Sequence, residues 1–241
     1  MGGKLSLPPF FYIKNIDYMN KLPKFMYTNQ FGLLCLVIFF SIFFSVVTDG
    51  FSSRFNLYAL SRVASIDIMV GLAMMVVILT GGLNLSLGAL GVSAAMFGGW
   101  CMQSLGIPII PSIFLILIFG TFLGWINGYV TVKTGVHSFI VTLATMSIYF
   151  GLMTVLTQAQ SFKNLPDAFT DIGSMKLFYK YVSPLLLLSL FTGCILFYLF
   201  KFTDIGRKLI AAGANPIAAE LSGISVNRMF VYCHMLSGFL A

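Results

Sequence analysis

Charged side chains are scarce in this chain of 241 residues, where Asp, Glu, Lys and Arg together make up 9%. Soluble domains carry about 25%. Hydrophobic residues make up 59%, so the composition excludes an ordinary soluble domain and is typical of an integral membrane protein. Lys and Arg number 14 against 7 acidic residues. Because the cytoplasmic loops of membrane proteins collect positive charge, this excess does not require a nucleic-acid partner.

Motifs for metal binding and catalysis are also missing from the sequence. The four cysteines show no C-x-x-C spacing, which argues against a zinc site or a disulfide scaffold. The two histidines lie in no H-E-x-x-H pattern, and no serine lies in a G-x-S-x-G turn. A G-x-x-x-x-G-K-[ST] phosphate-binding loop is absent as well. We therefore expect no enzyme, no metal site and no bound cofactor, and ATP would have to be used by a partner subunit.

Long apolar stretches predict an all-α bundle of membrane-spanning helices. A helix needs roughly 17 to 25 mostly apolar residues to cross the bilayer core. Six stretches fit, at about 31–48, 58–79, 82–100, 112–132, 138–158 and 182–200. A seventh begins near Met229 but has only 13 residues before Ala241, so we expect the chain to stop inside a helix, as a fragment or a truncated product.

The distribution of Lys and Arg predicts the orientation of these spans. Residues 1–30 have a net charge of +3, and residues 201–228 have a net charge of +2. Both segments should face the cytoplasm, and six crossings between them satisfy that arrangement. Since residues 1–30 lack a signal-peptide pattern, the first span should stay attached. Residues 31–241 then form one transmembrane domain, with 159–182 as an external loop that either receives a soluble delivery protein or is simply solvated.

A polar interval at 206–228 contains the pattern of a short helix. Asn215 is a good N-cap, a proline follows at the first helical position, and Gly223 can end the helix in a left-handed conformation. A helix of about seven residues is marginal in water, so its apolar face must pack against another surface. That face is formed by Ile217, Leu221 and Ile224. The interval is either a coupling surface for another protein or a loop helix lying on the bilayer or on its own chain.

Polar residues and glycines interrupt the apolar sequence at 80–88. Exposed backbone groups cost several kcal/mol each at membrane depth, so this segment must face protein or a water-filled path. Discontinuous helices in transporters present backbone groups to polar substrates, and Asn84 and Ser86 add neutral side chains suited to hydroxyl groups. The alternative is a tight turn between two spans. Asp67, near the outer end of the second span, either faces the path or has a structural role at the interface.

Glycines recur at four-residue spacing in the fourth predicted span. They are Gly120, Gly124 and Gly128. Small residues at this spacing let another helix approach closely, so we predict tight helix packing along this face.

Three blocks of the sequence resemble the permease subunits of bacterial ribose-type ABC importers. Residues 81–88, GGLNLSLG, are similar to the family pattern G-G-I-D-L-S-V-G, with Asn84 in place of the usual Asp. Asn127-Gly128, followed by FIVTLATM at 139–146, is similar to N-G…F-I-x-T-L-G-T-M. Residues 206–226 match G-R…A-x-G-x-N…A-A…S-G-I-x-V, and Ser237-Gly238 follow in the next span. The resemblance runs from about residue 60 to the end of the chain.

This resemblance implies a multi-pass permease of the bacterial inner membrane that imports a monosaccharide by alternating access. Such permeases have eight to ten helices, pair with a second permease subunit, receive solute from a periplasmic or lipid-anchored binding protein, and are driven by cytoplasmic ATPases. From the resemblance and the helix pattern together, the residues that we assign to ATPase coupling are Gly206, Arg207, Gly213, Asn215, Pro216, Ala219, Leu221, Ser222, Gly223 and Ile224. The candidate path residues are Asp67, Asn84, Ser86, Asn127, Thr142 and Thr145.

Two alternatives remain open from the sequence. A secondary transporter would also use broken helices, but ion coupling normally needs buried acids, and only Asp67 is available. An ABC permease could also carry a nucleoside, a polyol or a sugar-derived signal instead of a monosaccharide. The sequence does not decide between these cargoes.

Overall fold

The computed structural model describes residues 29–158 and 182–241 and, between them, residues 162, 165, 166, 168, 169 and 171. The predicted N-terminal segment at 1–30, apart from its last two residues, lies outside the described residues, and so does most of the predicted external loop at 159–182. Within the described part we number nine helices. They are α1 (Asn29–Val47), α2 (Arg54–Ile78), α3 (Leu87–Gln103), α4 (Ile109–Thr134), α5 (Ser138–Leu156), α6 (Pro184–Phe202), α7 (Asp204–Ala214), α8 (Pro216–Leu221) and α9 (Val226–Leu240).

The described part of the chain divides into two units, with the boundary between residues 56 and 57. In the first unit, α1 is followed by a turn that is stabilised by contacts between nearby side chains. The rings of Phe44 and Phe51 stack with their centroids 6.0 Å apart, and the hydroxyls of Ser45 and Ser52 lie 2.8 Å apart. The side-chain amide of Asn56 donates to the Phe51 carbonyl at 2.8 Å.

Local sequence signals set the helix ends in the second unit. Ser183 caps α6 by accepting a hydrogen bond from the Leu185 amide at 3.3 Å, with Pro184 at the first helical position. Thr203 caps α7 in the same way. Gly135 ends α4 with a φ of +68°, the left-handed conformation that glycine adopts without strain.

Four of the described helices are long and apolar enough to cross a membrane, judged by length and composition. They are α2, α4, α5 and α6; residues Phe31–Val47 of α1 form a shorter apolar helix. The span predicted at 82–100 is displaced, because residues 79–86 are not helical and α3, with 17 residues, begins only at Leu87. The helical membrane class therefore agrees with the prediction, whereas the described helices do not establish the predicted number of spans.

Helices α4 and α9 pack antiparallel and very closely. A Cβ added to Gly120 would lie 2.5 Å from the Gly238 carbonyl oxygen, and one added to Gly124 would collide with the His234 carbonyl. Because these neighbours are backbone atoms, they cannot move aside as a flexible side chain could. The tight packing predicted from the glycine spacing is confirmed, and α9 is the helix that uses it.

The hydrophobic core of the second unit draws on most of its helices. Its fully or almost fully buried members include Ala73 and Val76 of α2, Leu90 of α3, Leu123 of α4, Leu196 of α6, Leu209 of α7 and Cys233 of α9. Leu79, at the start of the non-helical segment at 79–86, packs against this core.

Candidate functional site

The non-helical segment, residues 79–86, has most of its backbone donors bound to protein. The amides of Gly81 and Gly82 donate back to the last turn of α2 at 2.9 and 3.2 Å. The Leu83 amide donates to the Ser138 hydroxyl at 2.8 Å, and the Leu85 amide donates to the Thr142 hydroxyl at 3.1 Å. Hydrogen bonds to the first turns of α5 therefore stabilise the non-helical conformation of this segment. These backbone donors bind protein groups and are not free to bind a solute.

Five buried side chains form a continuous hydrogen-bonded network beside the 79–86 segment. We call Asn84, Ser86, Asn127, Tyr149 and Ser237 the polar cluster. Asn84 accepts from the backbone amide of Ser86 at 3.1 Å and from its hydroxyl at 2.7 Å, and it donates to Ser237 at 3.1 Å. Asn127 donates to the Ser86 hydroxyl at 2.8 Å, and the Tyr149 hydroxyl donates to the Asn127 side-chain oxygen Oδ1 at 3.0 Å. The cluster joins the 79–86 segment to α4, α5 and α9.

Asn84 is suited to its place at the junction because its amide is both donor and acceptor. A carboxylate can only accept, whereas this side chain donates to Ser237 and accepts twice from Ser86. Asn84, Ser86, Asn127 and Ser237 are all completely buried. A neutral side chain fills this position without placing a charge in the interior.

The structure brings together most, but not all, of the residues predicted for the path. Asn84, Ser86 and Asn127 meet in the polar cluster, and Thr142 joins it through the 79–86 backbone. Thr145 is buried one turn further along α5, where it donates to the Thr142 carbonyl. Asp67 is exposed on α2.

A cavity of about 860 Å³ lies in the second unit, but none of the six predicted path residues lines it. Its walls come from α2, α3, α4, α5 and α9, together with some of the described residues between 162 and 169, and they are mainly apolar or small. Examples are Gly91, Gly99, Met102, Ile116, Phe150 and Phe239. Asn84, Ser86, Asn127 and Thr142 connect the 79–86 segment to neighbouring helices in this conformation, and the role of all six predicted residues in lining a path stays a prediction.

Tyr149 and Ser237 were not predicted as site residues. Tyr149 lies among apolar residues of α5, and its partner Asn127 is 22 positions earlier in the chain. Ser237 contacts Asn84 across 153 positions. The one signal in the sequence was that both are polar residues within apolar stretches. Because buried polar groups need hydrogen-bond partners, such residues are expected to contact other polar groups.

His234 of α9 is completely buried. Its Nδ1 lies 3.1 Å from the Phe230 carbonyl, and its ring packs on the Phe230 ring at 4.6 Å between centroids. Its Nε2 is buried without a hydrogen-bond partner among the described residues. This geometry agrees with a packing histidine.

The short helix predicted at 215–223 is present as α8. The Asn215 side-chain oxygen accepts from the Ala218 amide at 3.1 Å, and Gly223 has a φ of +81°. Ala219 is buried against the chain, whereas the outward side chains Ile217 and Leu221 are 74% and 86% exposed. The helix and its caps are confirmed, and two of the three apolar residues that we placed on one face are unpartnered in the isolated chain.

Helix α7 connects α8 to the interior through two glycines. A Cβ added to Gly206 would collide with the Leu199 carbonyl, and one added to Gly213 would collide with the Leu79 carbonyl and lie 3.0 Å from Thr80 Cα. Gly213 therefore packs directly on the start of the 79–86 segment. Arg207, by contrast, lies on the surface and pairs with Asp204.

The comparison with known families decides what kind of protein has this arrangement. A family model described as "Branched-chain amino acid transport system / permease component" matches residues 56–241. The chain belongs to this permease family. With its apolar helices, the permease is an integral membrane protein of the inner membrane.

Individual relatives of the permease are named for sugar import. It is 33% identical over 218 residues to a ribose import permease protein of Haemophilus influenzae, a match that covers 88% of this chain and 66% of the relative. It is 30% identical over 235 residues to a fructose import permease protein of Rhizobium meliloti, covering 92% and 64%. A D-allose transport system permease protein of Escherichia coli is 27% identical over 217 residues, covering 90% and 66%.

The permease spans slightly less than two thirds of the length of these curated relatives. No solved structure matches it significantly.

Proposed function

We propose that this chain is the transmembrane permease subunit of an ATP-driven importer that moves a monosaccharide, or a related small polar solute, into the cytoplasm. Membership of the permease family supports the role, and the similarity to ribose and fructose import permease proteins supports the class of cargo. The proposed partners are a cytoplasmic ABC ATPase, a second permease subunit, identical or different, and a periplasmic or lipid-anchored solute-binding protein. ATP is used by the ATPase, and this chain binds no cofactor of its own.

The proposed topology places the N-terminus and the α7–α8 segment in the cytoplasm. Helices α1 to α6 are six membrane spans, and α9 begins a seventh. Residues 79–86 are the break in a discontinuous helix at membrane depth, and α8 is the coupling helix. The excess of Lys and Arg in residues 1–30 and 201–228 supports this orientation.

The observation that carries the proposal is the exposure of Ile217 and Leu221 on a short, capped helix. Large aliphatic side chains on a polar segment away from the bilayer core remain solvated unless another protein or the bilayer surface covers them. Full burial of each would contribute about 1.5 to 3 kcal/mol, before the costs of association are subtracted. A small helix offering two such side chains fits a docking contact with a cytoplasmic ATPase.

The packing of Gly213 supports a direct mechanical connection. In the proposed cycle, ATP binding by the partner displaces α8 and α7 as a rigid body. Because Gly213 contacts the backbone of Leu79 and Thr80, the 79–86 segment must move with α7 or break that contact. Alternating access then consists of two arrangements of this segment against α4, α5 and α9, and the ATPase biases the choice between them.

The test is a charge placed on the docking face. The Leu221→Asp variant should lose association with the cognate ATPase in pull-down experiments, and solute-stimulated ATP hydrolysis in the reconstituted complex should fall to the unstimulated level. The matched control is Glu220→Gln, which alters the neighbouring exposed residue of the same helix and should keep both activities. Leu221 is on the surface, so the variant should fold normally.

Unchanged association and stimulation in the Leu221→Asp variant would contradict the proposed coupling. Solute uptake that follows an ion gradient at constant ATP would point instead to a secondary transporter. A bulky residue at Gly213 is a less specific test, because its side chain would collide with the Leu79 carbonyl and disturb the fold itself.

A further inference from the structure

An apolar groove of about 500 Å³ follows the seam between α4 and α9. Its walls carry large side chains from both helices, several of them at least half exposed in the isolated chain. These side chains are Phe114, Ile118, Phe122 and Trp125 of α4, and Met235 and Phe239 of α9. Helix α4 is a candidate membrane span, so the groove faces an apolar environment wherever protein does not cover it.

A row of aromatic rings leads along α4 from this groove to a positive charge. Phe122 stacks on Trp125 with 5.9 Å between ring centroids, and Trp125 stacks on Tyr129 at 5.3 Å. The Lys133 ammonium lies 5.4 Å from the centroid of the Tyr129 ring and donates to its hydroxyl at 3.2 Å. This ordering of apolar side chains, aromatic rings and a cation matches the change from acyl chains to headgroups in a bilayer leaflet.

A second cation lies at the same end of the groove, on α9. Arg228 is exposed and precedes the groove residue Met235 by seven positions, two helical turns, so both lie on one face. The antiparallel helices are in register at Gly128 and Val231, where an added Cβ would lie 2.9 Å from the Val231 Cα. Counting about 1.5 Å per residue from that level, Lys133 and Arg228 differ in height by only about 3 Å.

The apolar wall is long enough to cover one leaflet. Between Lys133 and Phe114, the far end of the groove on α4, there are 19 residue steps, or roughly 28 Å along the helix axis. Half of a bilayer with its headgroups measures about 20 to 22 Å. A lipid with its phosphate at the two cations would therefore place its acyl chain along the walls of the groove.

We propose that the α4–α9 groove binds an anionic phospholipid, with one acyl chain along its apolar walls and the phosphate held between Lys133 and Arg228. Both cations can donate hydrogen bonds to phosphate oxygens, and such pairs are strong in a partly apolar setting. Basic sites at the ends of grooves between membrane helices select anionic headgroups in this way. The net negative charge of the headgroup distinguishes the occupant from a zwitterionic lipid, whose own cationic group competes for the phosphate.

The test uses the tryptophan in the groove wall. Trp100→Phe leaves Trp125 as the only tryptophan of the two in the full chain. The variant is reconstituted in phosphatidylcholine vesicles containing brominated phosphatidylglycerol or, in parallel, brominated phosphatidylcholine, at equal mole fractions and low salt. We expect brominated phosphatidylglycerol to associate at least about fivefold more strongly, as judged by quenching of Trp125, and we expect high salt to reduce the preference.

Two further variants decide whether the cations are responsible. Lys133→Gln with Arg228→Gln should abolish the preference. Lys201→Gln is the matched control and should preserve the preference. Lys201, like Lys133, lies over an aromatic ring, that of Phe197, but it is at the end of α6 and outside the groove. Equal quenching by the two lipids, or a preference that survives the double substitution, overturns the proposal. Absence of quenching by either lipid also overturns it, because another protein surface, such as a second copy of this chain, would then cover the groove.

Discussion

The amide of Asn84 joins the 79–86 segment to α9, and its removal provides a direct test of how this segment is held. In the Asn84→Ala variant, the backbone and hydroxyl donors of Ser86 lose their shared acceptor, and Ser237 loses its donor. All three residues are completely buried, so water cannot replace the missing partner. We expect the variant to be expressed in the membrane and to be clearly less stable.

The expected loss follows from the groups that are left unpaired. A buried donor without an acceptor costs about 1 to 3 kcal/mol, and two donors of Ser86 are affected. Hydrogen bonds between side chains in membrane proteins contribute less on average, about 0.6 kcal/mol, because the unfolded state in the membrane also finds partners. Two unpaired donors would cost about 2 to 6 kcal/mol together. Because the contribution is smaller in membranes, we expect Asn84→Ala to lower the free energy of unfolding by about 2 to 4 kcal/mol.

The measurement is unfolding of the purified chain in detergent, followed by circular dichroism and tryptophan fluorescence. For a chain of this size, the expected loss corresponds to a midpoint lower by about 4 to 16 °C. The matched control is Asn227→Ala, which removes an exposed asparagine from the first turn of α9 and should change the free energy of unfolding by less than about 0.5 kcal/mol.

A double-mutant cycle between Asn84 and Ser237 isolates their contact. If the bond at 3.1 Å contributes, Asn84→Ala and Ser237→Ala should together cost less than the sum of their separate effects, by at least about 0.5 kcal/mol. Strict additivity, or a midpoint for Asn84→Ala equal to that of the Asn227 control, would refute the reasoning that this amide holds the segment in place.

Two further predictions concern backbone contacts and helix capping. Gly124→Ala should lower the free energy of unfolding by about 1 to 3 kcal/mol because its methyl group would collide with the His234 carbonyl, whereas Gly151→Ala, in open space on α5, should be neutral or slightly stabilising in the same thermal assay. Asn215→Ala removes the acceptor for the Ala218 amide and should weaken α8 by about 1 kcal/mol, reducing solute-stimulated ATPase activity while leaving the unfolding midpoint of the whole chain unchanged. A fall in that midpoint would show that α8 is needed for the fold as well as for coupling.

Features set by neighbouring residues could be predicted from the sequence. The cap of α8 depends on Asn215 and the amide three positions later, and its end depends on a glycine with positive φ. The glycine series of α4 predicted a close helix neighbour, because a glycine has no Cβ and therefore lets any neighbouring helix approach closely. The identity of that partner, α9, could not be predicted, since spacing within one helix carries no information about which other helix packs there.

The third predicted span was displaced for a different reason. Leucines alternate with polar residues at 83–87, and the hydrophobicity of this stretch is compatible with a membrane helix. Hydrogen bonds to Ser138 and Thr142, more than 50 positions away, satisfy the backbone of this segment without a helix. The polar cluster was only partly predicted for the same reason. Its contacts join distant parts of the chain, so Tyr149 and Ser237 had no local pattern to identify them.

The 79–86 segment is contacted at its two ends by different helices, and this arrangement bears on the proposed transport cycle. Gly213 packs on Leu79 and Thr80 at its start, and Asn84 binds α9 through Ser237 near its end. A displacement of α7 would therefore act on a short non-helical segment whose backbone is hydrogen-bonded to α2 and α5 and whose Asn84 side chain binds α9. Each of these bonds is individually weak, so a partner contact worth a few kcal/mol is large enough to change which of them are formed. A continuous helix at this position would resist such a change, because its backbone bonds break cooperatively.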